Sequence, residues 1–158
     1  MDEAKGIREP VRIRNEDVLL LSRVLYTMQD VSATEEKRMW QQDRLWNVTR
    51  RITGMPGGQG EPSGLDRHFA EIVEIEEQYE KELAEYCETL RRAEGILNAI
   101  PNRTMRTFVT MMYVLDIPHN EIMTRLNMRR RTFEGLRRAI EQAKDMKSVI
   151  WPERFTLT

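Results

Sequence analysis

A seven-residue repeat of apolar positions runs through the middle of the chain. From residue 69 to residue 100 these positions recur at alternating steps of three and four, and only Glu76 interrupts them. The apolar positions are Phe69, Ile72, Tyr79, Leu83, Tyr86, Leu90, Ala93, Leu97 and Ile100. About four heptads of this kind are typical of a coiled-coil seam. We therefore predict one long helix over residues 65–100 that pairs with another helix.

A second helical region precedes this seam. Between Glu16 and Ile52 apolar residues recur at helical spacing, although residues 30–38 are polar, so the region is either one long helix or two. Residues 53–64 read TGMPGGQGEPSG and hold five of the eight glycines, a composition that interrupts a helix. We predict a hairpin with its loop at 53–64, and the seam can pair within the chain, between two chains, or both.

The pattern changes after Ile100, where Pro101 restarts the chain. Three shorter helical segments follow, at 102–115, 118–126 and 129–146, and no useful stretch alternates as a β-strand does. The predicted fold class is all-α, with a long N-terminal helical hairpin and a small C-terminal domain. The predicted division is 1–100 for the hairpin, 101–150 for the small domain and 151–158 for a tail.

Residues 119–138, HNEIMTRLNMRRRTFEGLRR, have the apolar spacing of a helix-turn-helix unit. The positions that would face the interior are Ile122, Leu126, Met128, Phe133 and Leu136. Asn127 occupies the turn, and asparagine is, after glycine, the residue that best tolerates a left-handed backbone. The second helix, predicted at 129–143, would begin with three arginines at the end that enters the major groove of DNA.

Charge and composition narrow the classes of function. Residues 61–100 carry 11 acidic and 4 basic side chains, whereas residues 101–147 carry 10 basic and 5 acidic ones. This asymmetry indicates either an anionic partner for the C-terminal third or a chain that balances its own charges. The single Cys87 excludes an internal disulfide, and no signal peptide or membrane span is apparent, so we expect a cytoplasmic protein.

Other chemistry is not expected. His68, Cys87 and His119 do not have the spacing of a metal site, and the acidic repeat lacks the Glu-x-x-His pairs of di-iron proteins. We predict no metal, no cofactor and no enzymatic activity, because no nucleophile, base and orienting group can be assembled. Trp40, Trp46 and Trp151 stand at helical positions and are expected to lie in the core.

Residues 100–143 resemble the fourth region of bacterial sigma factors, the part that reads the promoter −35 element. The resemblance rests on IP at the start of a helix, on MMYVL, on the EI…RLNM segment and on RRTFEGLRRAI. The whole chain also resembles a family of small phage and prophage proteins that join a helical hairpin with a GMP-glycine loop to a sigma-like domain. Related members are regarded as activators of late phage transcription. The resemblance implies double-stranded DNA as a partner, and RNA polymerase as a further candidate.

Sorting the polar residues by role gives specific expectations. Residues expected to contact base edges are Arg130, Arg131, Glu134 and Arg138. Residues expected to contact phosphates are Arg103, Arg106, His119, Arg129, Thr132 and Arg137.

The predicted function is a sequence-specific DNA-binding transcriptional regulator that forms a homodimer through its hairpin and has no contact with a membrane. Two alternatives remain open. One is a DNA-packaging oligomer like a phage terminase small subunit, and the other is a coiled-coil adaptor that does not bind DNA.

Overall fold

The structure, a computed structural model, describes residues 13–53 and 63–152, and within these ranges it contains helices and turns but no β-strand. The five α-helices are α1 (Glu16–Thr53), α2 (Ser63–Asn98), α3 (Arg103–Val109), α4 (His119–Arg125) and α5 (Arg130–Gln142). A π-helical segment, Thr110–Val114, continues α3, and a short 3-10 turn follows α5 at Met146–Ser148. The predicted all-α fold is confirmed, and the region before the loop is one helix. Residues 54–62 of the predicted loop and 153–158 of the predicted tail lie outside the described ranges.

The chain divides into two compact units, and their limits differ from the division expected from the sequence. The first unit comprises Met1–Arg23 and Ala93–Thr158, and the second, the hairpin unit, is Val24–Arg92. The start of α1 and the end of α2 therefore belong with the short C-terminal helices.

In the hairpin unit, α1 and α2 run antiparallel and are joined by polar side chains. The hydroxyl of Thr34 donates to Glu82 at 2.6 Å, and Nε of Arg38 donates to Glu76 at 2.5 Å. From the first pair to the second, the α1 position rises from 34 to 38 while the α2 position falls from 82 to 76. The two helices therefore fold back on each other about the glycine-rich segment. The seam therefore pairs within one chain, and Glu76, the interruption in the heptads, is the position that binds Arg38.

Arg38 also lies against an aromatic ring of the seam. Its guanidinium carbon is 4.8 Å from the centre of the Tyr79 ring. The hydrogen bond to Glu76 raises the pKa of Arg38, whose side chain is 33% exposed. Because exposed ion pairs contribute little free energy, these contacts fix the register of the two helices more than they stabilise the fold.

Three large side chains of this unit do not lie where the sequence indicated. Trp40 and Trp46 are 59% and 71% exposed, so their expected place in the core is wrong. Phe69, predicted as a seam position, is 48% exposed, while the preceding His68 is partly buried. Near the loop the contact line between the helices thus lies one residue earlier than an uninterrupted heptad would place it. Trp151, in the first unit, is partly buried.

The first unit has a continuous apolar core. Its fully buried members come from four helices and one connection: Val18 and Leu21 of α1, Met105, Phe108 and Val109 of α3, Ile122 of α4, and Phe133, Leu136 and Ile140 of α5, with Ile100 between α2 and α3. The rings of Phe108 and Phe133 meet edge to face with centroids 5.5 Å apart. Burial of these side chains supplies the main stabilisation of the unit, at roughly 1.5–3 kcal/mol for each.

Candidate nucleic-acid interface

A tight turn joins α4 to α5 in the first unit. Asn127 has a φ of 49°, the left-handed conformation that the sequence predicted for this position. The amide of Met128 donates to the carbonyl of Met123 at 2.8 Å, and the amide of Asn127 donates to the carbonyl of Thr124 at 3.3 Å. These two bonds occupy carbonyls at the end of α4, so the chain reverses without leaving that end unsatisfied.

The five residues predicted to hold the two helices together differ in burial. Ile122, Phe133 and Leu136 are at most 1% exposed, and Leu126 and Met128 are partly buried beside the turn. The His119 ring lies 5.0 Å from the Phe133 ring, so the first residue of α4 also contacts α5. Phe133 therefore joins α3, α4 and α5, and it fixes which side of α5 faces the solvent.

Four arginines lie on the outward side of α5 or at its N-terminal end. Arg129, Arg130, Arg131 and Arg138 are all exposed. Among the residues that the structure describes, none of the four forms an ion pair. Arg129 directly precedes α5, and its side chain makes no capping hydrogen bond. The backbone amides of the first turn, which have no partner within the helix, lie at the same end. Helix amides and cationic side chains together favour an anion at this end.

Arg137 is held differently, by the two carboxylates of α5. Its Nε donates to Glu141 at 3.1 Å, and its Nη1 lies 3.7 Å from Glu134. Burial lowers the pKa of Arg137, but the hydrogen bond and the charges of the two glutamates outweigh burial and raise it. Glu134 and Glu141 both pair with Arg137, and neither forms an ion pair with the four outward arginines.

Glu141 connects this pair to the π-helical segment. The carboxylate is only 8% exposed, and the hydroxyl of Tyr113 donates to it at 3.3 Å. Burial of Tyr113, together with the adjacent negative charge, raises the pKa of its hydroxyl far above the usual value. Tyr113 therefore stays protonated and remains a donor across the physiological pH range.

The C-terminal end of α5 is bound by the residues that begin α1. The amide of Asn15 donates from its side chain to the Ile140 carbonyl at 2.9 Å, and the backbone amide of Arg14 donates to the Glu141 carbonyl at 3.0 Å. Asn15 is fully buried, and its Oδ1 accepts from the amides of Asp17 and Val18, which caps α1. These contacts were not predicted from the sequence.

Two further bonds extend this attachment beyond α5. The amide of Glu16 donates to the Lys144 carbonyl at 3.2 Å, and Asp17 accepts from the Met146 amide at 2.8 Å. The polar triplet Asn15-Glu16-Asp17 before an apolar run is a signal for a helix start. It does not indicate that Asn15 also bonds a residue 125 positions away.

The residues predicted to contact phosphates are not in equivalent environments. Arg103 is exposed at the start of α3, and Thr132 is partly buried on α5. Nη2 of Arg106 donates to the Ile100 carbonyl at 2.8 Å, while its buried Nε has no hydrogen-bond partner among the described residues. Arg106 and Arg137 are thus engaged within their own chain, and this arrangement favours a positioning role for both. Their phosphate contacts remain predictions, as do those of the other residues.

Gly135 leaves a gap in the side chains on the outward face of α5. Arg131, Gly135 and Arg138 follow one another at helical spacing, so they lie on one face. A Cβ atom added at Gly135 would have nothing within 4 Å, and its φ is not positive. Neither backbone strain nor crowding within the chain accounts for this glycine.

Within residues 13–53 and 63–152, every helix is too short or too polar to span a membrane. No cluster of three or more His, Cys, Asp or Glu side chains there could hold a metal ion.

The helices and the turn define an all-α protein whose short helices present an arginine-rich face. A family model described as "Protein of unknown function (DUF1492)" matches residues 52–145, more than half of the chain, so the protein belongs to the DUF1492 family. The matched range includes the α4–α5 pair and excludes the residues of α1 that bind the end of α5. No curated protein and no solved structure matches the chain.

Proposed function

We propose that the protein is a sequence-specific DNA-binding transcriptional regulator of phage or prophage type, with α4 and α5 acting as a helix-turn-helix unit. The observation that carries the proposal is the set of four exposed arginines on α5 and at its start, which have no carboxylate partner among the described residues. The left-handed turn at Asn127 and the buried Phe133 hold this face outward.

The proposed roles follow from where the side chains lie. Arg130 and Arg131 stand in the first turn of α5, the part of a recognition helix that reaches base edges, and Arg138 lies two turns further on. An arginine in the major groove donates two hydrogen bonds to guanine O6 and N7, which specifies a base. Glu134 holds Arg137, while Arg103 and Arg129 supply charge for phosphates, which position the protein without reading sequence.

The proposal places the protein in the cytoplasm of a bacterial host, with double-stranded DNA as its ligand and a second copy of the chain as its partner. RNA polymerase is the further partner that the resemblance to sigma factors implies. A two-fold dimer would recognise half-sites separated by about one turn of DNA, roughly 10 bp, or by a multiple of it.

Selection of bound fragments from a random pool of duplex DNA, at a salt concentration of about 150 mM, tests the proposal. We expect an enriched motif with the wild-type protein and loss of that motif with the double variant Arg130→Ala, Arg131→Ala. The double variant Arg91→Ala, Arg92→Ala removes the same charge from adjacent exposed positions of α2 and should keep the motif.

Two results would contradict the proposal. One is the absence of any enriched motif, with weak binding that disappears as the salt concentration rises. The other is an equal loss of binding in both double variants, since that would mean the arginines contribute only net charge. Once the preferred DNA motif is known, each single substitution at Arg130 or Arg131 should weaken binding to that motif by about 1–3 kcal/mol.

A further inference from the structure

Four large apolar side chains of the hairpin unit are exposed on one flank of the helix pair. Met39, Trp46, Phe69 and Val73 are 61%, 71%, 48% and 56% exposed. Each directly follows a residue that is partly buried between the helices, namely Arg38, Leu45, His68 and Ile72. An α-helix turns by about 100° per residue, so the following residue lies to a fixed side of the contact line. In an antiparallel pair of right-handed helices, that side is the same flank for both.

The four side chains also lie at neighbouring levels along the hairpin. The pair formed by Arg38 and Glu76 sets the register. Trp46 is eight residues from Arg38, and Phe69 is seven residues from Glu76, both in the direction of the loop. At about 1.5 Å per residue, Trp46 and Phe69 are level to within about 2 Å. The exposed apolar residues therefore form one continuous patch, and we call it the apolar flank.

The two flanks of the hairpin differ in the carboxylates that α2 supplies. On the apolar flank, α2 continues from Val73 through Glu77 and Glu80 to the small residues Ala84 and Cys87. On the opposite flank, the α2 residues that directly precede the contact line include the four glutamates Glu71, Glu74, Glu82 and Glu85. More of the α2 carboxylates thus lie on the side away from the patch, which is the direction expected when one side is covered and the other faces water.

The size of the patch fits a protein partner. With side chains of about 150–250 Å² each, the four residues expose on the order of 500 Å² of mainly apolar surface. A contiguous apolar patch of about this size is often functional. A stable interface needs about 800 Å² from each partner, and the adjacent small residues of the same flank extend the patch toward that area.

We propose that two copies of the chain associate through this flank as a two-fold dimer, with α1 of one copy against α2 of the other. The level positions of Trp46 and Phe69 make the surface self-complementary. A two-fold axis parallel to the helices places Trp46 of one copy opposite Phe69 of the other, and the second pair follows by symmetry. This assignment rests on the proposed function, which names a second copy of the chain as the partner. It adds the contact surface and the two-fold arrangement of the two copies.

A matched pair of tryptophan substitutions tests the assignment in the absence of DNA. Trp46→Glu puts a charge in the centre of the apolar flank. Trp40→Glu makes the same change at an exposed tryptophan of α1 that faces away from it and stacks with Arg44 at 5.3 Å. Sedimentation equilibrium at protein concentrations up to about 100 μM measures the mass, and circular dichroism checks that each variant stays helical.

We expect a wild-type dimer, a dissociation constant raised at least about 30-fold by Trp46→Glu, and no change with Trp40→Glu. Val73→Glu, on the other helix of the same flank, should act like Trp46→Glu and serves if Trp46→Glu loses helix content. A monomeric wild type, or equal dissociation by Trp40→Glu and Trp46→Glu, would overturn the assignment. An assembly of eight or more copies would also overturn it, and would favour a packaging oligomer. Because no DNA is present, failure here is distinct from failure of the DNA-binding proposal.

Discussion

The two units of this protein bury their apolar residues to very different extents. In the first unit, short helices approach one another from several directions, and side chains such as Phe108, Phe133 and Leu136 are almost completely enclosed. In the hairpin unit, the only apolar side chains in the described core are Val24 and Val31, and the other buried residues are threonines. A helix with a single neighbour covers only one stripe of its surface. The first unit therefore encloses a core of large apolar side chains, whereas the hairpin unit leaves most of its large apolar side chains partly or largely exposed.

The largest expected difference is in the free energy of unfolding, between substitutions of one phenylalanine in each unit. Phe133→Ala removes a ring that joins three helices and should lower the free energy of unfolding of the first unit by about 3–5 kcal/mol. Phe69→Ala removes a half-exposed ring and should cost less than about 1 kcal/mol in dilute protein. Urea unfolding followed by circular dichroism compares the two variants. Equal losses would mean that the contrast in burial does not govern stability.

The next largest loss of stability is expected when the asparagines that cap two helices are replaced by alanine. Asn15→Ala removes the cap of α1 and leaves the buried Ile140 carbonyl without its donor, so we expect a loss of about 2–3 kcal/mol. Asn102→Ala removes the bonds to the amides of Thr104 and Met105 in a less buried place and should cost about 1 kcal/mol. Thermal unfolding of both variants measures the difference. A cost for Asn15→Ala no greater than that for Asn102→Ala would show that the attachment to α5 contributes nothing.

The smallest expected effect is that of replacing two exposed helical glycines by alanine, and it distinguishes a change in stability from a change in DNA binding. Gly135→Ala and Gly95→Ala should each stabilise the protein by up to about 1 kcal/mol, because an added Cβ meets nothing at either position. On the proposed interface, however, only Gly135 lies on the face of α5 that approaches DNA, so only Gly135→Ala should weaken DNA binding. Melting temperatures and binding isotherms of the two variants provide the comparison. Weaker binding by Gly95→Ala as well would remove the special role of Gly135.

The features that could be predicted from sequence are those set by nearby residues. The heptads and the glycine-rich segment predicted the hairpin, and the spacing from Ile122 to Leu136 predicted the turn and its buried side chains. Each of these patterns lies within one helix or one pair of adjacent helices, where periodicity alone decides which side is inward.

The features that were missed depend on contacts between distant segments. The bond from Asn15 to Ile140 spans 125 residues and leaves no periodic signal. Trp46 and Phe69 were expected to be buried because they are large apolar residues at helical positions. Spacing does not reveal that the charged residues Arg38 and Glu76 occupy part of the contact line between the helices. The environments of Arg106 and Arg137 likewise depend on partners that spacing does not reveal.

The most direct test of the central claim is amide hydrogen exchange of the full chain with and without a DNA duplex bound. We expect slower exchange at residues 129–138 when the duplex is bound, with residues 65–92 of the hairpin unchanged. This result would place the DNA on the arginine face of α5. Protection of the hairpin without protection of α5, or no protection anywhere at low salt, would mean that α5 is not the DNA-binding surface.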